Sequence, residues 1–163
     1  MTTAKGITNG TVPCGAVFAK REIYDGLMTG PEGAIELFHG YTYSAHPVAC
    51  AAGLATLDIY KDEGLLTRGA QFTEYFRDGL HSLKGLPNVV DIRNVGLMGA
   101  VEVAPRDGVV GARGYDLMVD CFNTGLYLRM SGDSLAVSPP LILEKKHIDD
   151  LVSILGDAIK RVA

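Results

Sequence analysis

Apolar residues recur at helical spacing in the last part of the chain. Ile148, Leu151, Leu155 and Ile159 fall three or four residues apart, on one stripe of a helix that we predict over residues 145–162. The same spacing predicts a helix over residues 65–83 and a shorter helix over residues 115–123 that ends at Gly125. Each helix has one apolar face, so these helices need a common partner layer.

Short apolar runs between these helices predict that layer. Residues 89–93 and 97–103 read as two antiparallel strands joined by a turn at residues 94–96. Residues 126–129 and 134–137 read as two further strands around a turn at residues 131–133. Strands and helices together predict a compact α/β unit.

The first third of the chain has a different pattern. We predict a buried strand at residues 15–19, a short helix at 22–28 and an irregular loop up to residue 45. Residues 47–60 are Ala-rich and apolar nearly all round, which predicts a helix buried on most faces, with Pro47 in its first turn and Ser44 as its cap. Gly64 breaks this helix, and we divide the chain into residues 1–60 and 61–163.

Composition narrows the class of protein. The chain has 163 residues, of which 47% are hydrophobic and 21% charged, as in an ordinary soluble α/β protein. A net charge of −4 with scattered basic residues argues against nucleic-acid binding. No run approaches the roughly 18 apolar residues that a membrane span requires. We therefore expect a cytoplasmic protein with no nucleic-acid or membrane partner.

The cysteines and histidines have no ligand spacing. The three cysteines are widely separated, and no two of them form a C-x-x-C pair, so we predict neither a disulfide framework nor a zinc site. We expect these cysteines to be small buried residues in a reducing compartment. We predict no metal site at the histidines either. The residues concerned are Cys14, Cys50, Cys121, His39, His81 and His147.

Lys5 is the strongest candidate for chemistry. It lies between small residues and a glycine run, in Thr-Thr-Ala-Lys-Gly-Ile-Thr-Asn-Gly at positions 2–10. A lysine that attacks a carbonyl carbon must be uncrowded and held at the end of an ordered segment. The alternative is a solvated lysine in a frayed amino terminus.

Three other polar residues carry open alternatives. Thr42, in a glycine-flanked loop before a helix, fits a phosphate ligand or a turn cap. Arg129 has the planar fork that binds a carboxylate, or it forms an ion pair with Asp133 or Glu102. His46 is better explained as a polar cap or a packing residue.

Three motifs in one order resemble a known family. They are Thr-Ala-Lys-Gly-Ile-Thr-Asn-Gly at 3–10, Pro-Cys-Gly-Ala-Val-Phe at 13–18, and His-Gly-Tyr-Thr-Tyr-Ser-Ala-His-Pro-Val-Ala-Cys-Ala-Ala at 39–52. Together they resemble the class III aminotransferases, which use pyridoxal phosphate, and most of all the branch that transfers amino groups from ω-amino acids such as β-alanine to pyruvate. The resemblance runs along essentially the whole chain. One departure is Ala45, where the family usually has glycine.

The resemblance implies roles for three residues. Lys5 would bind pyridoxal phosphate as a Schiff base and shuttle the substrate proton. Thr42 would contact the cofactor phosphate across the interface of a homodimer or higher oligomer. Arg129 matches the arginine that binds the substrate carboxylate. The small-molecule partners would be an amino donor and a keto acid acceptor.

The resemblance also implies that the chain corresponds only to the carboxy-terminal part of a fold-type I transferase. Residues 1–60 would be the end of the large cofactor-binding domain with an interdomain helix, and residues 61–163 the small α/β domain. Without the front part of the cofactor site, we expect the isolated chain to be inactive. The alternative function is a catalytically inactive remnant that acts as an interaction or self-association module. Relatives acting on 4-aminobutyrate, ornithine derivatives or glutamate semialdehyde share these motifs, so the amino donor stays open.

Overall fold

The computed structural model describes residues 1–33 and 40–163, and these form two compact units, Met1–Gly64 and Leu65–Ala163. His39 of the third motif, and residues 34–39 of the predicted irregular loop, lie outside the described residues.

The first unit contains little regular structure around one long helix. Strand β1 (Thr2–Ala4) leads into a 3₁₀ turn (Lys5–Ile7) and pairs antiparallel with β2 (Gly15–Val17). Helix α1 (Arg21–Leu27) and helix α2 (Pro47–Asp62) follow. Proline at the first helical position suits the start of α2, because its missing N–H would have no partner there. Gly64, with φ of 57°, comes directly after the end of the helix.

The predictions that this strand and this helix are buried are wrong. Val17 is 76% exposed, and α2 buries only Ala49 and Thr56. Among residues 1–33 and 40–64, the described elements leave both the strand and the helix largely exposed. The predicted cap is also wrong, since the N-cap of α2 is His46 rather than Ser44.

The second unit has eight elements. The single helix predicted over residues 65–83 is two helices, interrupted at Phe72, and the strand predicted at 126–129 begins only at Arg129. Leu66, one of the apolar residues at helical spacing in residues 65–83, is exposed. In chain order the elements are α3 (Leu65–Gln71), α4 (Thr73–His81), β3 (Val89–Val95), β4 (Met98–Val103), α5 (Ala112–Asn123), β5 (Arg129–Ser131), β6 (Ser134–Val137) and α6 (Lys145–Val162).

The four strands form one antiparallel sheet in the order β3-β4-β6-β5. Alternate residues point to opposite faces of a strand, and Val101, Val103, Leu135 and Val137 lie on the face that α4 and α5 cover. Helix α6 packs against both of these helices and adds side chains to the same core. The core side chains of these helices include Phe76, Leu80, Leu117, Leu155 and Ile159, all almost completely buried. The other face of the sheet carries polar residues, alanines and the exposed side chains of Val95 and Met98.

The cysteines differ in burial. Cys121 is fully buried in this core, Cys14 is half-buried and Cys50 is exposed, so the expectation of three buried thiols is wrong for Cys50. All three are free. Burial, with a smaller contribution from Asp120, raises the pKa of the Cys121 thiol from 9.0 to about 11. In the part of the chain that the structure covers, no helix has the length and apolar character needed to cross a membrane.

Candidate functional site

Lys5 lies directly after β1, as the first residue of the 3₁₀ turn. Its φ of 57° is in the left-handed region, which is uncommon for a residue with a side chain. The carbonyl oxygen of Lys5 accepts the N–H groups of Thr8 and Gly10, each at 3.2 Å. Strained backbone of this kind is concentrated at functional sites, where the surrounding structure must hold it.

The segment after Lys5 is held from both sides. Thr8 is buried and donates its hydroxyl to the carbonyl oxygen of Val12 at 2.6 Å. The hydroxyl of Tyr60, on α2, donates to the carbonyl oxygen of Gly6 at 2.8 Å. The amino terminus is therefore ordered rather than frayed, which contradicts one part of the alternative to a catalytic role. The Lys5 side chain itself is exposed and makes no hydrogen bond or ion pair with the described residues.

Thr42 lines an open cleft of about 840 Å³ within the first unit. His46, Cys14 and Cys50 line the same cleft, whereas Lys5 does not. The structure therefore does not bring Lys5 and Thr42 together in this cleft.

The turn that carries Thr42 leads into α2, whose 16 residues begin at Pro47. A hydroxyl ahead of a helix N-terminus suits a phosphate, because the free N–H groups there favour negative charge. His46 occupies the N-cap position, yet its side chain makes no capping hydrogen bond, so it does not act as the polar cap that the sequence suggested.

Ala45 has φ of 58°, which explains why the family usually has glycine at this position. Glycine adopts this conformation without strain, whereas alanine does not. The chain therefore keeps the turn geometry at this position at a cost in stability.

Arg129 lies on the uncovered face of the sheet in the second unit. The strand register places four residues in one row across the sheet. In order from β5 to β3 they are Arg129, Ala136, Ala100 and Arg93. Two arginines thus stand at the ends of one row, on the outer strands, with two alanines between them. An open cleft of about 580 Å³ lies beside this row, and Arg93, Ala100 and Ala136 line it, whereas Arg129 does not.

The two arginines differ in their partners. Arg93 binds Asp91 at 2.6 Å, Glu102 at 2.8 Å and the hydroxyl of Ser134 at 2.8 Å. The carboxylate of Asp91, followed by that of Glu102, raises the pKa of the Arg93 guanidinium above its ordinary value. The Arg129 side chain makes no hydrogen bond or ion pair within the described residues.

The alternative of an ion pair between Arg129 and Asp133 or Glu102 is wrong. Glu102 pairs with Arg93, and Asp133 accepts the backbone N–H groups of Gly111 and Gly114 at 2.7 and 2.9 Å. The Arg129 guanidinium is left available for a ligand carboxylate.

Two contacts that position these residues were not predicted from the sequence. The bond from Tyr60 to Gly6 joins residues that are far apart in the chain, so no local pattern contains it. Asp133 is predicted only as an ion-pair partner, although the glycines at residues 108–114 are a signal of a close backbone approach. Among residues 1–33 and 40–163, no group of three or more His, Cys, Asp or Glu side chains could hold a metal ion.

Comparison with known proteins agrees with the motifs. The family profile described as aminotransferase class-III matches residues 1–159. This chain belongs to the class III aminotransferase family. It is 53% identical to an omega-aminotransferase of Caulobacter vibrioides, over 98% of this chain and 36% of the relative. It is 47% identical to a beta-alanine–pyruvate aminotransferase of Pseudomonas aeruginosa, over the whole of this chain and 37% of the relative.

Solved aminotransferase structures match over the same extent. An amine transaminase from an uncultivated Pseudomonas species, in a PLP-bound form, matches with a TM-score of 0.89 and 32% identity, over 99% of this chain and 38% of that one. An (S)-enantioselective omega-transaminase from Thermomicrobium roseum matches with a TM-score of 0.87 and 34% identity, over 99% and 37% of the two chains. The predicted fold class is confirmed. This class III aminotransferase chain spans little more than a third of the length of the relatives it matches.

Proposed function

We propose that this chain forms part of an aminotransferase that moves an amino group from an ω-amino acid such as β-alanine, or from an amine, to pyruvate. Class III membership supports amino transfer, and the names of the two relatives support these substrates. The observation that carries the proposal is Lys5, a free amine on a strained backbone at the end of a paired strand. A cytoplasmic location remains a prediction from the sequence.

The residues present fit part of a pyridoxal phosphate site. An amine with no partner suits an aldehyde-bearing cofactor, and Thr42 ahead of α2 suits its phosphate. When bound, pyridoxal phosphate supplies an electron sink for the substrate carbon that carries the amino group. Lys5 Nζ would hold the cofactor and, once displaced by the amino donor, move a proton to and from that carbon. Thr42 would contact the phosphate of the cofactor that is bound by the second subunit of a homodimer.

Arg129 would bind the carboxylate of the acceptor. Its guanidinium is the unpaired member of the Arg93–Arg129 row, and a planar fork can take both carboxylate oxygens. The resemblance assigns the other cofactor contacts to the amino-terminal part of the longer family members. We therefore infer that this chain alone does not catalyse amino transfer.

Reconstitution tests this function. The chain is expressed together with the front part of the Caulobacter relative, supplied with pyridoxal phosphate and reduced with borohydride. We expect a reduced label at Lys5 and amino transfer from β-alanine to pyruvate, with neither in the Lys5→Arg variant. The matched control is Lys20→Arg. A label that stays when Lys5 is replaced would contradict the proposal.

The acceptor gives a second readout for the role of Arg129. In the reconstituted enzyme, we expect Arg129→Ala to lose about 10- to 100-fold in kcat/KM with pyruvate, as for a lost hydrogen bond to a charged group. Butanal, an acceptor without a carboxylate, should be unaffected. An equal loss with both acceptors would show that Arg129 does not bind the carboxylate.

Exposed apolar residues favour a second candidate function, a self-association module without activity. Leu54 and Leu57 on α2 are 65% and 60% exposed, whereas the second unit has its own core. Size-exclusion chromatography of the chain with and without pyridoxal phosphate separates the two functions. Association that ignores the cofactor and is abolished by Leu54→Glu with Leu57→Glu would favour the module.

A further inference from the structure

Asp133 is a buried carboxylate in the two-residue turn between β5 and β6. It is 8% exposed, and each of its oxygens accepts a backbone N–H: Oδ2 from Gly111 at 2.7 Å and Oδ1 from Gly114 at 2.9 Å. A buried charge is costly unless such hydrogen bonds compensate for the lost water. Both oxygens are therefore committed to one neighbouring segment.

That segment is the start of helix α5. Gly111 is its N-cap, with φ of 87° and no side chain to cap the helix, and Gly114 is its third helical residue. The first N–H groups of a helix have no partner within the helix, and negative charge is favourable at this end. Asp133 provides from another part of the chain the cap that α5 lacks.

The two backbones lie in close contact at this point. A Cβ atom on Gly114 would come within 2.3 Å of the Gly132 carbonyl oxygen and 3.0 Å of the Asp133 Cα. No side chain fits there unless the turn moves. The hairpin turn at Gly132 and Asp133 therefore packs directly against the first helical turn of α5.

Helix α5 in turn is fixed to the core of the second unit. Leu117 and Cys121 are almost completely buried, and Arg113 Nε donates to the carbonyl oxygen of Ala104 at 2.9 Å. The hairpin that carries Arg129 at its first strand residue extends from this hairpin turn. The place of Arg129 relative to the core therefore depends on this contact as well as on the pairing of β6 with β4.

We propose that Asp133 is a positioning residue for Arg129. By capping α5, it fixes the orientation of the β5–β6 hairpin so that Arg129 stands on the open face of the sheet. The same two hydrogen bonds keep the Asp133 carboxylate away from the Arg129 guanidinium, four residues earlier. The positioning role does not depend on the proposed function. Only the statement that Arg129 binds a substrate carboxylate rests on it.

The positioning is tested on the 163-residue chain itself by NMR. Residual dipolar couplings report the orientation of each peptide plane, so residues 129–137 can be compared with α5 and α6. In Asp133→Ala, we expect the couplings of the hairpin to depart from the orientation that fits both helices. Asp133→Asn keeps one acceptor oxygen but places an NH2 group against the second N–H, so its hairpin couplings should depart less than those of Asp133→Ala but still measurably. It also carries the test if the alanine variant does not fold.

The matched control is Asp157→Asn, which alters an exposed carboxylate paired with Lys160 on α6. A role in stability alone would lower the urea midpoint of Asp133→Ala and leave the orientation unchanged. If the hairpin couplings of both Asp133 variants fit as well as those of the control, the positioning role is wrong.

The reconstituted enzyme separates this proposal from the proposed function. We expect Asp133→Asn to raise KM for pyruvate about 10-fold, in the range of one lost hydrogen bond to a charged group, and to leave butanal turnover unchanged. If the Asp133→Ala hairpin moves but Arg129→Ala has no effect on pyruvate, the carboxylate role of Arg129 is wrong and the positioning stands.

Discussion

The hydroxyl of Tyr60 donates a hydrogen bond to the carbonyl oxygen of Gly6, at 2.8 Å, across 54 residues of chain. Gly6 follows the candidate catalytic lysine, and Tyr60 lies near the end of α2. The strained backbone at Lys5 is thereby linked to the longest element of its unit.

Replacing Tyr60 with Phe removes this hydrogen bond and keeps the ring. A hydrogen bond of this kind contributes about 0.5–1.5 kcal/mol, so local opening of the Lys5 turn should increase about 2- to 10-fold. Hydrogen exchange measures this at the amides of Thr8 and Gly10, which donate to the Lys5 carbonyl oxygen.

The control for this substitution is Tyr24→Phe, on exposed helix α1, whose hydroxyl makes no hydrogen bond in the described structure. It should leave exchange at both amides unchanged. Equal exchange in Tyr60→Phe and Tyr24→Phe would show that the bond does not hold the turn.

Ala45→Gly should stabilise the turn that carries Thr42. A left-handed backbone costs a residue with a Cβ about 1–2 kcal/mol, while the greater freedom of glycine in the unfolded chain offsets about 0.5–1 kcal/mol. The net gain is about 0.5–1 kcal/mol. We expect the Ser44 amide, which donates to the Tyr41 carbonyl oxygen, to exchange about 2- to 5-fold more slowly.

The same substitution at Ala55 should have the opposite sign. Ala55 is exposed in the interior of α2, where glycine costs about 1 kcal/mol relative to alanine. Faster exchange in α2 for Ala55→Gly and slower exchange at Ser44 for Ala45→Gly form the expected pair. Destabilisation at both positions would mean that the turn tolerates alanine without strain.

The buried thiol of Cys121 should make stability depend on pH in the alkaline range. Its pKa is about 11 in the folded chain and 9.0 in the unfolded chain. Between these values the unfolded chain has lost the proton that the folded chain keeps, so the free energy of unfolding falls as pH rises. Below pH 9 the thiol contributes no pH dependence.

Urea unfolding at several pH values between 8 and 11 measures this effect. Cys121→Ala should show a weaker decline than the unaltered chain, while exposed Cys50→Ala should keep the full decline. The slope against pH is the relevant quantity, because removing a buried side chain lowers stability at every pH. Parallel slopes for all three proteins would contradict the assigned pKa.

The local sequence pattern was sufficient to predict elements whose own residues determine their bounds or pairing. Helix α6 has the predicted bounds, because its apolar stripe repeats over many turns and is buried against α4 and α5. The pairing of β3 with β4 also agrees with the prediction. Gly125, with φ of 96°, lies just beyond the end of α5, at the predicted stop.

Burial and long-range contacts could not be read in the same way. The apolar pattern of α2 predicts a buried helix, but it does not say which element would bury it, and Leu54 is exposed. The apolar spacing over residues 65–83 continues through Phe72, so it does not reveal the interruption there. The cap that Asp133 gives α5 joins residues separated by about twenty positions, so neither local sequence contains it. The roles of Lys5, Thr42 and Arg129 remain predictions.

The two-residue turn at Gly132 and Asp133 has a consequence for how this protein can vary. Arg129 and Met130 point to opposite faces, since Met130 packs on the core and Arg129 does not. Inserting or deleting one residue in the turn would exchange the two faces, placing a guanidinium among aliphatic side chains and a thioether in water. Changes in substrate preference at this strand should therefore come from substitutions, and the length of the hairpin should stay constant among functional homologues.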